Sequence, residues 1–209
     1  MPTLVVISDL HMGSGSIDDF EPEIEKHFIA FLEDWRANND GTELVINGDL
    51  LDFVQAQPYR GRELRAESKD EIPLCFTEDQ SLQKLDAIYN EHKDSFQAIG
   101  SFLAHRTENR LVLLPGNHDA DFYWPAVQQQ FKKLVCGDDE SVSQRLIYWL
   151  DSVYQPSTFP GVWIEHGHQH DPVSSFFMDD EPCWSADNNP IRLDRTGTKR
   201  YMSASELGS

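Results

Sequence analysis

Four short apolar runs in this sequence are each followed at once by residues that can hold a cation or move a proton. Leu4-Val5-Val6-Ile7 leads into Asp9-Leu10-His11, and Leu44-Val45-Ile46 leads into Gly48-Asp49-Leu50-Leu51-Asp52. Leu111-Val112-Leu113-Leu114 is followed by Gly116-Asn117-His118-Asp119, and Val162-Trp163-Ile164 by Glu165-His166-Gly167-His168-Gln169-His170-Asp171. Asp, Asn and His form a mixed oxygen and nitrogen donor set, which suits Mn²⁺, Fe or Zn²⁺ better than Mg²⁺ or Ca²⁺. Asp9 and His11 are two apart, so in extended chain both side chains point the same way. Gly48 and Gly116 let the backbone turn tightly beside a ligand. Met singly, each group is ordinary turn chemistry. Their recurrence after run upon run is what carries meaning.

The elements around these groups follow an α/β pattern, in which apolar runs alternate with helical stretches. Apolar residues Ile24, Phe28, Phe31, Leu32 and Trp35 predict a helix over about 22–35, ended by Asn38-Asn39-Asp40-Gly41. Leu82, Leu85, Ile88, Tyr89, Phe96, Ile99 and Leu103 predict one long helix over 78–105, with His92 extending its stripe as a structural residue. A further helix is expected over 124–135. Residues 145–154 and 162–164 read as two strands of a hairpin, joined through Pro156, Pro160 and Gly161. Residues 55–80 are polar and read as a long excursion or lid. In an open α/β sheet, ligands bind at the carboxyl ends of the strands. That is where the four groups fall.

Composition narrows the partners. Hydrophobic residues make up 39% and charged residues 25% of the 209, so a packed core in one domain is expected. No apolar stretch approaches the roughly 20 residues needed to cross a bilayer. Lys and Arg number 17 against 36 Asp and Glu, a net charge of −19, the wrong sign for a nucleic-acid coat or an anionic-membrane binder. Cys75, Cys136 and Cys183 are odd in number and unpatterned, which argues against a disulfide framework and for a reducing, cytoplasmic setting.

The four groups, taken together, resemble the calcineurin-like metallophosphoesterase family over residues 9 to about 171. The resemblance implies a sandwich of two mixed β-sheets flanked by helices, with two divalent metal ions at the sheet edge. By position, Asp9 and His11 would bind one ion, Asp49 would bridge both, and Asn117 and His166 would bind the second. His118 would assist the leaving group. A bridging carboxylate holding two cations about 3.5–4 Å apart suits in-line displacement at phosphorus by a shared hydroxide. Asp52 is then placed to orient a metal-bound histidine from behind. Asp119 stands where Ser/Thr protein phosphatases carry Glu, and Gly48–Asp52 is not followed by Arg-Gly, so that branch does not fit. Net charge favours a small or short phosphorylated substrate over long duplex DNA. Arg60, Arg62 and Arg65 are the one local reversal of sign near a ligand loop, and are expected to recognise a second phosphate or an acidic part of the substrate. Two other readings are a nuclease of the same family and a non-catalytic metal-binding regulatory module.

The C-terminal stretch carries its own expectation. The family has a later Gly-His-x-His motif, and Gly167-His168-Gln169-His170 has that spelling but directly follows His166. His166 is the expected ligand, and His168 and His170 are expected to stand behind it or face substrate. Residues 172–209 show no clear strand, which predicts a longer protein holding another strand and the final histidines.

Overall fold

The strands are short because the ligand loops begin as soon as the apolar runs end. The computed structural model describes residues 2–15, 20–37, 40–56, 77–171, 173–178, 181–182, 190–193 and 200–202. Arg60, Arg62 and Arg65, with most of the expected lid, lie outside the described residues. Strands β1 (Thr3–Ile7), β2 (Thr42–Asn47), β3 (Arg110–Leu114) and β4 (Leu146–Tyr148) form one parallel sheet in that order. Val5 pairs with Leu44, Leu44 with Leu111, and Leu111 with Leu146, so the carboxyl ends of β1, β2 and β3 lie side by side.

Alternation along the strands divides the core. Leu44, Ile46, Leu111 and Leu113 face the helices, and Val45, Val112 and Leu114 face the opposite side with Tyr154 and Ile164. The helical layer comprises α1 (Pro22–Ala37), α2 (Glu78–Glu91), α3 (Lys93–His105), α4 (Pro125–Cys136) and the short α5 (Glu140–Ser143). Phe28 and Leu32 of α1, Phe96, Ile99 and Phe102 of α3, and Phe131 of α4 are buried in that cluster. A capping box starts α2: Gln80 N–H donates to Thr77 Oγ1, and Thr77 N–H donates to Gln80 Oε1. Pro125 opens α4 at a position where its missing N–H costs nothing. No helix of the described residues is long and apolar enough to cross a membrane.

The α/β class with flanking helices is as expected, and three local expectations are corrected. The single helix over 78–105 is two, broken at His92 (φ −112°, ψ 35°). There His92 Nδ1 lies 3.2 Å from Glu25 Oε1 of α1, and Ser95 Oγ donates to the same oxygen at 2.7 Å. The apolar stripe runs on through the break, so its periodicity could not reveal it. The hairpin over 145–164 contracts to one antiparallel bridge between Tyr154 and Ile164, because Leu146–Tyr148 instead pairs parallel with β3. Beyond Asp171, where no strand was expected, β5 (Phe177–Met178) pairs with β6 (Glu181–Pro182), and β7 (Ile191–Leu193) with β8 (Arg200–Met202). Two- and three-residue strands are too short to show an alternating pattern. Among the described residues these ribbons and the Tyr154–Ile164 bridge are the antiparallel elements, and the larger sheet is wholly parallel.

Candidate metal centre

Asp9, His11 and Asp49 are the non-glycine residues with positive φ among those described, at 57°, 48° and 52°. Left-handed backbone costs an ordinary residue about 1–3 kcal/mol and persists only where the surroundings enforce it. Enforcement is visible. The N–H groups of Leu10 and His11 both donate to the Asp49 carbonyl at 2.9 Å. Met12 N–H donates to Leu50 O, Asp52 N–H to Met12 O, and Phe53 N–H to His118 O. These bonds stitch together the loops that follow β1, β2 and β3. Asp9 and His11 therefore reach the same place through two left-handed turns, and not through the extended chain expected from their spacing.

The side chains converge on Asp49, which is 4% exposed. Its Oδ2 lies 3.6 Å from His11 Nε2 and 3.4 Å from His166 Nε2, and its Oδ1 accepts from the His118 N–H at 2.9 Å. Asp9, His11 and Asp49 each offer a ligand atom within 4.8 Å of the others. His11, Asp52 and His118 form a second such group. There, buried Asp52 lies 3.6 Å from His11 Nδ1 and 3.2 Å from His118 Nδ1, and the two imidazoles meet edge to face. His166 Nδ1 is 2.8 Å from the Asn47 carbonyl. A carbonyl only accepts, so Nδ1 carries the proton and Nε2 is left toward Asp49. Asn117 is half-buried between Gly116 and His118.

These residues fit a cation. Two ligand atoms at about 2.1 Å from one ion in tetrahedral directions stand roughly 3.4 Å apart, near the His11–Asp49 and His166–Asp49 spacings. The glycines are shaped to the same cluster. A Cβ on Gly48 would lie 2.2 Å from His166 Nδ1, and one on Gly116 would lie 2.1 Å from Asp49 Oδ1.

Proton affinities follow from the packing. Burial works to raise the Asp52 carboxyl, but the His11 and His118 imidazoles beside it overturn that and hold Asp52 well below the ordinary range. Asp52 in turn raises His11. It also raises His118, against burial. Burial opposes the charge on His166, and Asp49 overcomes this, lifting it to about 9. Asp49 is lowered, chiefly by His166 working against burial. The carboxylates thus raise the proton affinity of the imidazoles beside them. A cation entering the cluster competes with protons there, since ligand imidazoles must be neutral.

Three residues that carry this geometry were missed as site residues. Asp119, 1% exposed, accepts from backbone N–H groups of both the β2 and β3 loops, and burial together with the Asp49 charge raises its carboxyl to about 7. Its place in Gly116-Asn117-His118-Asp119 was the available signal. Asn47 supplies the carbonyl for His166, and its Nδ2 donates to Glu165 O at 2.9 Å. Buried Lys84 of α2 donates to the Phe53 carbonyl at 2.9 Å, beside Asp52. Nothing local marks either.

His168 and His170 part company. Gly167 (φ 96°) turns the chain into a 3-10 turn over His168–His170, so the three imidazoles do not share one side of an extended segment. The His168 ring packs against His166 with centroids 5.3 Å apart, and against Phe176. Burial, then the neighbouring His166 charge, lowers it to about 4. His170 is exposed, 3.3 Å from Glu165 Oε2.

The chain belongs to the calcineurin-like phosphoesterase family, whose model matches residues 2–194. Comparison with curated proteins and with solved structures finds no match. Membership supports metal-dependent phosphoester hydrolysis as the general chemistry, in keeping with the two groups of potential ligands.

Proposed function

We propose that this protein hydrolyses a small or short phosphorylated substrate at a centre of two divalent ions, with Mn²⁺ the best fit to the donors and Fe or Zn²⁺ the alternatives. Asp9 and His11 would hold one ion, Asn117 and His166 the other, and Asp49 both. The observation that carries this reading is the convergence of His11 Nε2 and His166 Nε2 on one buried oxygen of Asp49. When bound, such ions lower the pKa of water and neutralise charge developing on phosphoryl oxygens.

The remaining work falls to the chain's own side chains. His118 keeps about a fifth of its side chain accessible (22%), with Asp52 Oδ1 3.2 Å from its Nδ1, and its Nε2 would exchange a proton with the leaving oxygen. Asp52 also lies against His11 Nδ1, fixing that ring so that Nε2 serves the ion. Asn47 does the same for His166. His168 packs behind His166 and steadies it, and His170, turned to Glu165, lies nearer the solvent side. A net charge of −19 supports a compact substrate over a long polyanion. The unpatterned cysteines support a cytoplasmic setting.

Metal analysis tests the assignment. Asp49→Ala should lose every ion that the unaltered protein binds in Mn²⁺, because one carboxylate serves both positions. A mutant that keeps its full metal content would overturn the bridging role.

A further inference from the structure

We propose that Asp119 is a positioning residue that locks the loops after β2 and β3 into the one arrangement that brings Asp49 beside His166; this rests on the metal-centre reading above. Its Oδ1 accepts from Gly116 N–H at 2.6 Å and lies 3.3 Å from Asp49 N. Its Oδ2 accepts from Leu50 N–H at 2.8 Å and lies 3.5 Å from Leu51 N. One buried carboxylate thus gathers three successive amides of one loop and one amide of another, some 70 positions away in the chain. Successive N–H groups around an anion form a nest. Here the nest begins at Asp49, whose left-handed backbone (φ 52°) needs something to enforce it.

The arrangement calls for two acceptor oxygens on one short side chain. Asp119 sets Oδ1 toward Gly116 N and Asp49 N and Oδ2 toward Leu50 N and Leu51 N, one oxygen for each flank of N–H groups. Asn has the same shape, but its amide would set N–H against N–H on one flank. Either Gly116 and Asp49 or Leu50 and Leu51 would then lose their acceptor. Gly116 has no room to drift, since a Cβ there would already lie 2.1 Å from Asp49 Oδ1. A small shift of either loop is therefore passed to the ligand oxygens. Asp119 acts through Asp49 and His166, and its effect is on where they stand.

Two measurements test this. Amide hydrogen exchange on the unaltered protein should show Gly116 and Leu50 N–H protected, although both lie in loops. Free exchange there would overturn the clamp whatever any variant does. Mn²⁺ titration by calorimetry should then show Asp119→Asn binding about 10–100-fold more weakly, the range for partners that orient metal ligands. The comparison is Asn109→Ala, at the far end of β2, where Asn109 Oδ1 accepts from Thr42 N–H. That variant should melt earlier yet bind Mn²⁺ as the unaltered protein does. If Asp119→Asn does not fold, Asp119→Glu, which keeps both oxygens but moves them by one methylene, should show a loss of the same kind. Wild-type affinity in a folded, destabilised Asp119 variant would overturn positioning and leave only a structural role. Absence of Mn²⁺ binding by the unaltered protein would contradict the metal centre itself, and the proposal with it, even where the amides are protected.

Discussion

Gly116→Ala is a wedge of one methyl group driven into the proposed metal centre. Gly116 is not among the glycines with positive φ, so alanine meets no backbone penalty there and the whole effect is steric. The new Cβ would lie 2.1 Å from Asp49 Oδ1, 2.9 Å from Asp49 Cγ and 2.8 Å from His166 Nε2. Relief to an ordinary contact needs a displacement of about 1 Å, and misplacement on that scale costs on the order of 10²-fold in rate. Asp49 cannot swing aside freely, because it is buried and its Oδ1 also accepts from the His118 N–H. Overpacking should cost about 1–3 kcal/mol of stability. In a chain of this size that is roughly 2–12 °C in Tm. The assay is Mn²⁺-dependent hydrolysis of a nitrophenyl phosphoester beside a thermal melt. Gly137→Ala is the control, since its Cβ meets nothing within 4 Å while its φ of 60° is unfavourable for alanine. It should lose stability of about 1 kcal/mol and keep its rate. A folded Gly116→Ala protein with unaltered rate and metal content would refute the placement of the centre at Asp49 and His166.

Other outcomes follow from the same contacts. His118→Ala should leave metal content unchanged and lower kcat by about 10²–10⁴-fold, with the smallest loss on nitrophenyl leaving groups that need no proton; an equal loss on all leaving groups would point to charge stabilisation instead. Lys84→Met strips the Phe53 carbonyl of its donor and buried Asp121 of its nearby cation, and should cost about 3 kcal/mol in urea unfolding. Adding Asp121→Asn should recover part of that loss, because burial already raises the Asp121 carboxyl. Additive losses in the double mutant would show that the two groups do not interact.

How much of this was legible follows from the range of each interaction. Strands β1 to β3 announce themselves as apolar runs, and the residues after them converge as the strand-end rule requires. Helices α1 and α4 obey their apolar spacing. What escaped is whatever depends on contact between distant segments. His92 breaks a helix because Glu25, 67 positions away, is there to meet it. Leu146–Tyr148 chooses β3 over a hairpin partner through long-range pairing. The spacing of Asp9 and His11 was informative and their conformation was not, since the left-handed turns are enforced by the carbonyl of Asp49. Asp119 was visible as a motif letter, but its function as a clamp needs the β2 loop beside it. Arg60, Arg62 and Arg65 fall outside the described residues.

The most direct test of the central claim is hydrolysis of mono- and bis-nitrophenyl phosphate by the chelator-treated protein, before and after Mn²⁺ is restored, with Asp49→Ala alongside. The predicted result is no turnover after chelation, recovery with Mn²⁺, and no recovery in the mutant. Turnover that survives chelation, or that Asp49→Ala retains in full, would contradict a metal centre built on Asp49.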